Sequence, residues 1–250
     1  MGRKELYVEL LRYTPAPEEV IAMGAKLCYS AAQVSDLRAG VEASDQTRFI
    51  GKLVDMGHFS PIEHSVFTFG VEGVSRSLLA QITRHRIASF SVQSQRYVLK
   101  TSKQSEEGVF DYIIPPRIAA LGEEAVAEFD RQMRQVQAWY DSWNERLGAE
   151  GETSNEDARF VLPNAAETKL LVTMNARELL HFFRLRCCNR AQWEIRALAE
   201  VMLRLVRSVA PSLFKNAGPG CLSGPCPEGK MTCGKMAEVR KKYVAHQADL

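Results

Sequence analysis

The segment HSVFTFGVEGVSRSLLAQITRHR, residues 64–86, constrains the fold more than any other. Val66, Phe67, Phe69 and Val71 are strand formers set among polar residues, the pattern of a half-buried strand. Beyond Ser75 the period changes, and Leu78, Leu79 and Ile82 recur at helical spacing. A strand therefore passes into a helix with no linker. Ser75 is the expected cap, because its hydroxyl can accept from an unpaired N–H of the first turn. A strand over 167–176 followed by a helix over 175–186 is the reading of ETKLLVTMNARELLHFFRLR.

Residues 5–14 read as a first strand, ended by Pro15 and Pro17, and residues 17–31 as a helix with Pro17 at its first position. Residues 44–58 read as a helix capped by Ser44, with Phe49, Ile50, Leu53 and Met56 as its apolar stripe and Gly57 as its stop. RYVL (96–99) and DYIIP (111–115) read as strands. Residues 117–148 carry one long amphipathic period, 148–157 read as a linker, and 190–209 form a last long helix. No internal repeat and no regular βαβ alternation is visible, so the class is α+β. After Pro211 the composition changes to Gly, Pro, Lys and Cys, which marks residues 216–250 as a tail on a domain of residues 1–215.

With 46% hydrophobic and 25% charged residues the chain can build a core. A net charge of +2 is too small to argue for non-specific nucleic-acid binding. No apolar run approaches the roughly 20 residues that span a bilayer. Glu5 and Glu9 interrupt the N-terminal segment, so a signal peptide is not expected and a cytoplasmic location is. The six cysteines then read as thiols or ligands instead of a disulfide framework.

The charge is unevenly placed. No acid lies between Glu72 and Glu106, whereas Arg76, Arg84, Arg86, Arg96, Lys100 and Lys103 do, interleaved with serines and glutamines. A second basic block holds Arg177, Arg184, Arg186, Arg190 and Arg196. Within it Arg177, His181 and Arg184 share one helix face. Like charges on one face repel by a few tenths of a kcal/mol per pair, a cost that reverses sign if an anion binds there. Arginine suits this role, since its planar fork binds phosphate or carboxylate bidentately. A solvated basic face and a nucleic-acid patch over Arg84–Lys103 are the alternatives.

Arg84-His85-Arg86, then seven residues, then Ser94 is the spacing RHR-x7-S, and in this the chain resembles the flavin-dependent thymidylate synthases. GHFSPIEHSVFTF (57–69), ARFVLP (158–163), and NARELLHFFRLR followed by AQWEI extend the resemblance over roughly residues 5–215. It implies a single catalytic domain over 1–215 whose mixed or antiparallel sheet packs against long helices. It also implies reductive methylation of dUMP to dTMP, with methylenetetrahydrofolate as one-carbon donor, NADPH as reductant and FAD as cofactor, in a homotetramer with shared active sites. By the same resemblance Ser60, Arg84, His85, Arg86, Asn175, Arg177 and His181 meet FAD. Gln81, Arg84, Ser94, Gln95, Arg96 and Arg159 meet dUMP. Arg186 faces the pyrimidine and stabilises its ionised form. The family usually carries Glu or Gln six residues after the last motif arginine. This chain has Val92 there: either the neighbouring Gln93 takes over the dUMP contact, or the loop binds ligands there through backbone groups.

Ser94 reads as a phosphate-binding hydroxyl instead of a nucleophile, because no acid for a triad is nearby. Cys187 and Cys188 read as structural thiols, and His58 and His64 as hydrogen-bonded histidines. Cys221-x4-Cys226-x6-Cys233 reads either as a zinc ligand set, with His246 as a fourth ligand, or as thiols of a mobile or redox-sensitive tail.

Overall fold

The computed structural model describes residues 2–248. In chain order its elements are β1 (Tyr7–Tyr13), α1 (Pro17–Leu27), α2 (Val34–Glu42), α3 (Thr47–Asp55), β2 (Val66–Ser75), α4 (Arg76–Ile82), β3 (Ala88–Val92), α5 (Pro116–Ala119), α6 (Glu123–Arg146), α7 (Glu152–Ala158), β4 (Glu167–Asn175), α8 (Ala176–Arg186), α9 (Trp193–Val209), α10 (Pro211–Phe214) and α11 (Met236–Ala248). The four strands make one antiparallel sheet in the order β1-β2-β4-β3, the α+β class expected. No helix among the described residues is long and apolar enough to cross a membrane.

Both strand-to-helix switches form as their sequences dictate. Leu78 N donates to Ser75 Oγ at 3.1 Å, and Glu178 N donates to Asn175 Oδ1 at 2.8 Å. Each cap satisfies a first-turn donor that has no helical partner.

The chain divides into two compact units. The first comprises the segment up to Tyr7, Val71–Arg84 and Phe90–Leu171. Its core joins Val109, Phe110, Tyr112, Ile114, Met133 and Ala166. The helix α6 buries Met133, Gln137, Tyr140 and Asn144, two of them amides. Their use is to hold an irregular loop. Gln137 accepts from Phe110 N at 2.6 Å and donates to Lys100 O at 2.9 Å, while Asp141 accepts from Ser102 N at 3.1 Å. Residues 96–99 and 111–115 are not strands: side chains of α6 bond backbone groups that flank both runs, at Lys100, Ser102 and Phe110, and Tyr112 makes isolated bridges to Arg3 and Ala166. Gly73 has φ +67°, and a Cβ there would lie 1.8 Å from Glu5 O, so only glycine fits. The expected helix over 117–148 is interrupted at Gly122 (φ 105°), and the expected linker contains α7.

The second unit comprises Val8–Gly70, His85–Ser89 and the chain from Val172 onward. Phe182 and Phe183 of α8 and Ile195, Leu198, Met202 and Val206 of α9 form its buried apolar faces. Arg207 is buried with them, donating to Phe214 O (3.1 Å), Lys215 O (3.3 Å) and Ala217 O (2.8 Å). It thereby holds the turn after α10. Ser44 does not cap α3: its hydroxyl donates back to Gly40 O at 2.8 Å and closes α2, an element the sequence reading lacks. Asp45 instead accepts from Thr47 N at 3.0 Å. The strand β3 follows closely after Arg86, in a run to which the sequence reading assigns no element, and α11 lies within the expected tail.

Candidate active site

The boundary between the units falls inside the motif, between Arg84 and His85. Each unit therefore carries its own constellation.

In the second unit His85 is buried, with 5% of its surface exposed. Its Nε2 accepts from Arg186 Nε at 3.1 Å, and its Nδ1 lies 2.8 Å from Glu178 Oε1. An arginine can only donate, so Nε2 must be the lone pair and Nδ1 must carry the proton that goes to Glu178. The tautomer is fixed by the two partners. Burial, the largest cause, holds the imidazole below its ordinary pKa; the hydrogen bond to Glu178 opposes this and nearby Arg186 reinforces it. The ring also meets Phe182 edge-on at 5.0 Å and His181 at 5.9 Å. Glu178, His85 and Arg186 thus form a relay that orients the guanidinium, with Glu178 placed by the Asn175 cap.

His181 and Arg177 are exposed on α8. Arg177 pairs with Glu63 in the Pro61–His64 turn, and Ala176 N donates to Ser65 O at 2.8 Å. These contacts bring the exposed Ser60 turn to the N-terminal end of α8, beside the Asn175 cap. Arg86 is exposed. A cavity of about 650 Å³ in this unit is lined by Phe59, Leu180, Arg184, Tyr243 and their neighbours. Its size is in the range that takes a cofactor. Arg184 and Arg240 line this largely apolar cavity, and the exposed Arg86, Arg177 and His181 lie elsewhere in the same unit; such donors suit the pyrophosphate of a flavin dinucleotide.

In the first unit Gln81 is half-buried on α4, with Nε2 donating to Ser77 O at 3.3 Å. Arg84 follows in the exposed turn. Gln93 N donates to Lys169 O at 2.9 Å, beside β4. Ser94 Oγ accepts from Arg96 N at 3.1 Å, and Val98 N donates to Ser94 O at 3.0 Å, so Ser94, Gln95 and Arg96 form a tight turn. Asn155 Nδ2 donates to Arg96 O at 3.1 Å and ties the turn to α7. Arg159 Nε donates to Glu156 O at 3.1 Å.

Three features of the two constellations were not legible. The counter-charge of Arg96 is supplied by the protein: Glu152 at 2.6 Å and Glu156 at 2.7 Å, both on α7. The acid-free run is therefore not without acids in space. Arg76 has its pKa lowered by burial and then by the charge of Arg159, so two cations sit near each other where an anion would relieve the repulsion. Glu178, the orienting carboxylate, sits 93 residues from His85 in sequence, and nothing local announces it.

Other expected groups fall elsewhere. His85, Glu178 and His181 are the one group of three metal-ligating side chains within 4.8 Å among the described residues, but both ring nitrogens of His85 are engaged in the relay. His58 and His64 are exposed and outside any such group. Cys187 is buried, and burial pushes its thiol up to about 12, which suits a structural thiol and not a nucleophile. The side chain of His246 lies outside the described residues.

Comparison with known proteins bears on these features together. The family model described as "Thymidylate synthase complementing protein" matches residues 9–212. The chain is 53% identical over 236 residues to the flavin-dependent thymidylate synthase of Geobacter sulfurreducens, covering 94% of this chain and 97% of that one. It is 48% identical over 247 residues to the enzyme of the same name from Clostridium tetani, covering 95% and 96%. In fold it is similar to thymidylate synthase X from Helicobacter pylori, solved with FAD and dUMP (TM-score 0.63, 22% identity, 85% of this chain and 99% of that one). It is similar also to the UMP/dUMP methylase PolB from Streptomyces cacaoi bound with 5-Br dUMP (TM-score 0.70, 24% identity, 85% and 94%). The chain belongs to the flavin-dependent thymidylate synthase family.

Proposed function

We propose that this protein converts dUMP to dTMP with FAD as its bound cofactor, and with methylenetetrahydrofolate and NADPH as co-substrates. The observation that carries the reading is the Glu178–His85–Arg186 relay built on the RHR motif. FAD, when bound, supplies the hydride chemistry, and the chain's own residues bind, orient and stabilise charge.

Ser60, Arg86, Asn175, Arg177 and His181 hold FAD. The side-chain oxygen of Asn175 caps α8, which leaves its NH₂ to donate outward. Arg84 serves cofactor and nucleotide. His85 was expected to touch FAD. With both ring nitrogens engaged, its side chain acts by positioning Arg186. Arg186 stabilises the negative charge that develops on the uracil, an electrostatic role worth about 3 kcal/mol in comparable sites. Gln81, Gln93, Ser94, Gln95, Arg96 and Arg159 bind dUMP, with Arg96 and Arg159 toward the phosphate. The nucleotide exchanges with Glu152 and Glu156 for Arg96, an exposed pair that water already screens.

The nucleic-acid reading loses its main support, because part of the charge it relied on is neutralised by α7. A homotetramer, a cytoplasmic location and a single catalytic domain over 1–215 with a tail over 216–250 complete the proposal, on the strength of the family resemblance. The test is a visible spectrum of the purified protein followed by dUMP-dependent oxidation of its reduced flavin. A yellow protein that turns over only with dUMP is the expected result. A colourless protein that takes up no added FAD would overturn it.

A further inference from the structure

The second unit contains a second cavity, of about 220 Å³, whose wall includes His181 of the proposed flavin set and whose cysteines have no role in the proposed reaction. Cys188, Cys221, Cys226 and Cys233 all line it. Three come from the Gly/Pro-rich segment after α10, and the fourth stands just past the C-terminal end of α8, outside that segment. None is in a disulfide, and Cys188, Cys226 and Cys233 are partly accessible while Cys221 is buried.

We propose that these four cysteines form a tetrathiolate metal centre that binds a thiophilic metal group. The chemistry is that of soft sulfur donors, which select zinc or iron–sulfur clusters over hard cations. Several observations converge on it. The segment 216–235 has almost no regular structure, and Cys221 is one of its few buried apolar groups, so it lacks a core that would bring three thiols to one place. Supporting bonds surround the sulfurs. Arg240 donates to Cys221 O at 2.9 Å and to Gly224 O at 2.7 Å, Arg190 bonds Met231 O and pairs with Glu228 at 3.5 Å, and Asn189 Nδ2 points at Cys233 Sγ at 3.9 Å. Such outer bonds orient metal ligands. Arg184 lines the same cavity and offsets the negative charge that four thiolates bring to one metal.

Among the described residues no three of these sulfurs come within 4.8 Å of one another, so the thiols must draw together around any metal they bind. Four thiolates hold either a single tetrahedral zinc or a polynuclear iron–sulfur cluster, and metal analysis distinguishes the two. Cys188 replaces His246 as the fourth ligand of the sequence-based set. The four cysteines have no part in the nucleotide chemistry above, although His181 of the proposed flavin set lines the same cavity.

The decisive experiment is elemental and acid-labile sulfide analysis of the full-length protein isolated without oxygen, before and after reconstitution with iron and sulfide or with zinc. Stoichiometric metal is expected in the unmutated chain and in Cys28→Ser, and less than about a tenth of it in Cys188→Ser, Cys221→Ser, Cys226→Ser and Cys233→Ser. Iron with sulfide identifies a cluster, and zinc alone a single ion. Loss of metal in a variant that still binds FAD separates ligand loss from misfolding. Native mass spectrometry of the unmutated protein gives the metal mass independently of any variant. Absence of bound metal under all these conditions, or full metal retention in Cys188→Ser, would overturn the proposal.

Discussion

The two constellations treat positive charge in opposite ways. In the second unit His85 is buried, its tautomer set by Glu178 on one side and Arg186 on the other. In the first unit Arg96 sits at the surface between Glu152 and Glu156, in pairs whose members are each about 40% exposed. A buried relay loses little to salt and holds one geometry, whereas exposed pairs are screened and exchangeable. The difference fits the proposed division of labour: a rigid guanidinium for the ring that reacts, and a replaceable carboxylate shell for the phosphate that arrives and leaves.

The largest effect should come from removing the end of the relay. Arg186→Ala is expected to lower thymidylate formation by about 10²–10³-fold while the protein remains yellow. Full turnover in single-turnover assays would break the comparison at once.

Glu178→Ala should lower kcat by about 10–100-fold and cost about 1–3 kcal/mol of stability, because the buried Nδ1–H loses its acceptor. Glu178→Gln keeps an acceptor oxygen and should recover most of the activity. Equal losses in both variants would show that hydrogen-bond geometry is not what Glu178 contributes.

Arg96→Ala should raise the KM for dUMP about tenfold and leave FAD affinity unchanged. Glu152→Ala should do the opposite on a smaller scale, tightening dUMP by a factor of about two to three at low salt, with the gain fading as salt rises. Measuring both across a salt series sharpens the contrast, since the Arg186 and Glu178 effects should not move with salt.

The smallest effect is on stability against pH. The folded chain holds His85 below its ordinary pKa through burial and Arg186, with the bond to Glu178 opposing and His181 adding slightly. The unfolded chain therefore takes up this proton at a higher pH. The stabilising contribution is complete above about pH 6.5 and is lost as pH falls from there toward the lower folded value. Chemical denaturation of the unmutated protein and His85→Gln between pH 7.5 and 5 measures it, and parallel curves for the two would remove His85 as its source.

How much was legible differs between the same two regions. Ser75 was read correctly as a cap because a cap acts within three residues, whereas Asn175 was read only as the point where strand meets helix. The strand and helix periods around them are equally local. The expected strands at 96–99 and 111–115 failed for the opposite reason. Gln137, Tyr140 and Asp141 lie some 27 to 40 residues away and bond the backbone at Lys100, Ser102 and Phe110, which holds the loop between the two runs in an irregular path. Residues 148–157 looked like a linker because their composition is polar and Gly-containing, yet Ser154 and Asn155 are buried and bonded, so α7 is held by tertiary contacts.

The sequence by itself determined the α+β class, the two direct strand-to-helix passages and the motif residues that carry the family. These depend on periodicity, caps and spacing, all read along the chain. Only the tertiary structure decided which nitrogen of His85 carries the proton, which carboxylates face Arg96, and that Cys188 joins three tail cysteines around one cavity. Those facts depend on partners tens of residues apart, and a hydrogen bond or a ligand shell is a property of distance in space.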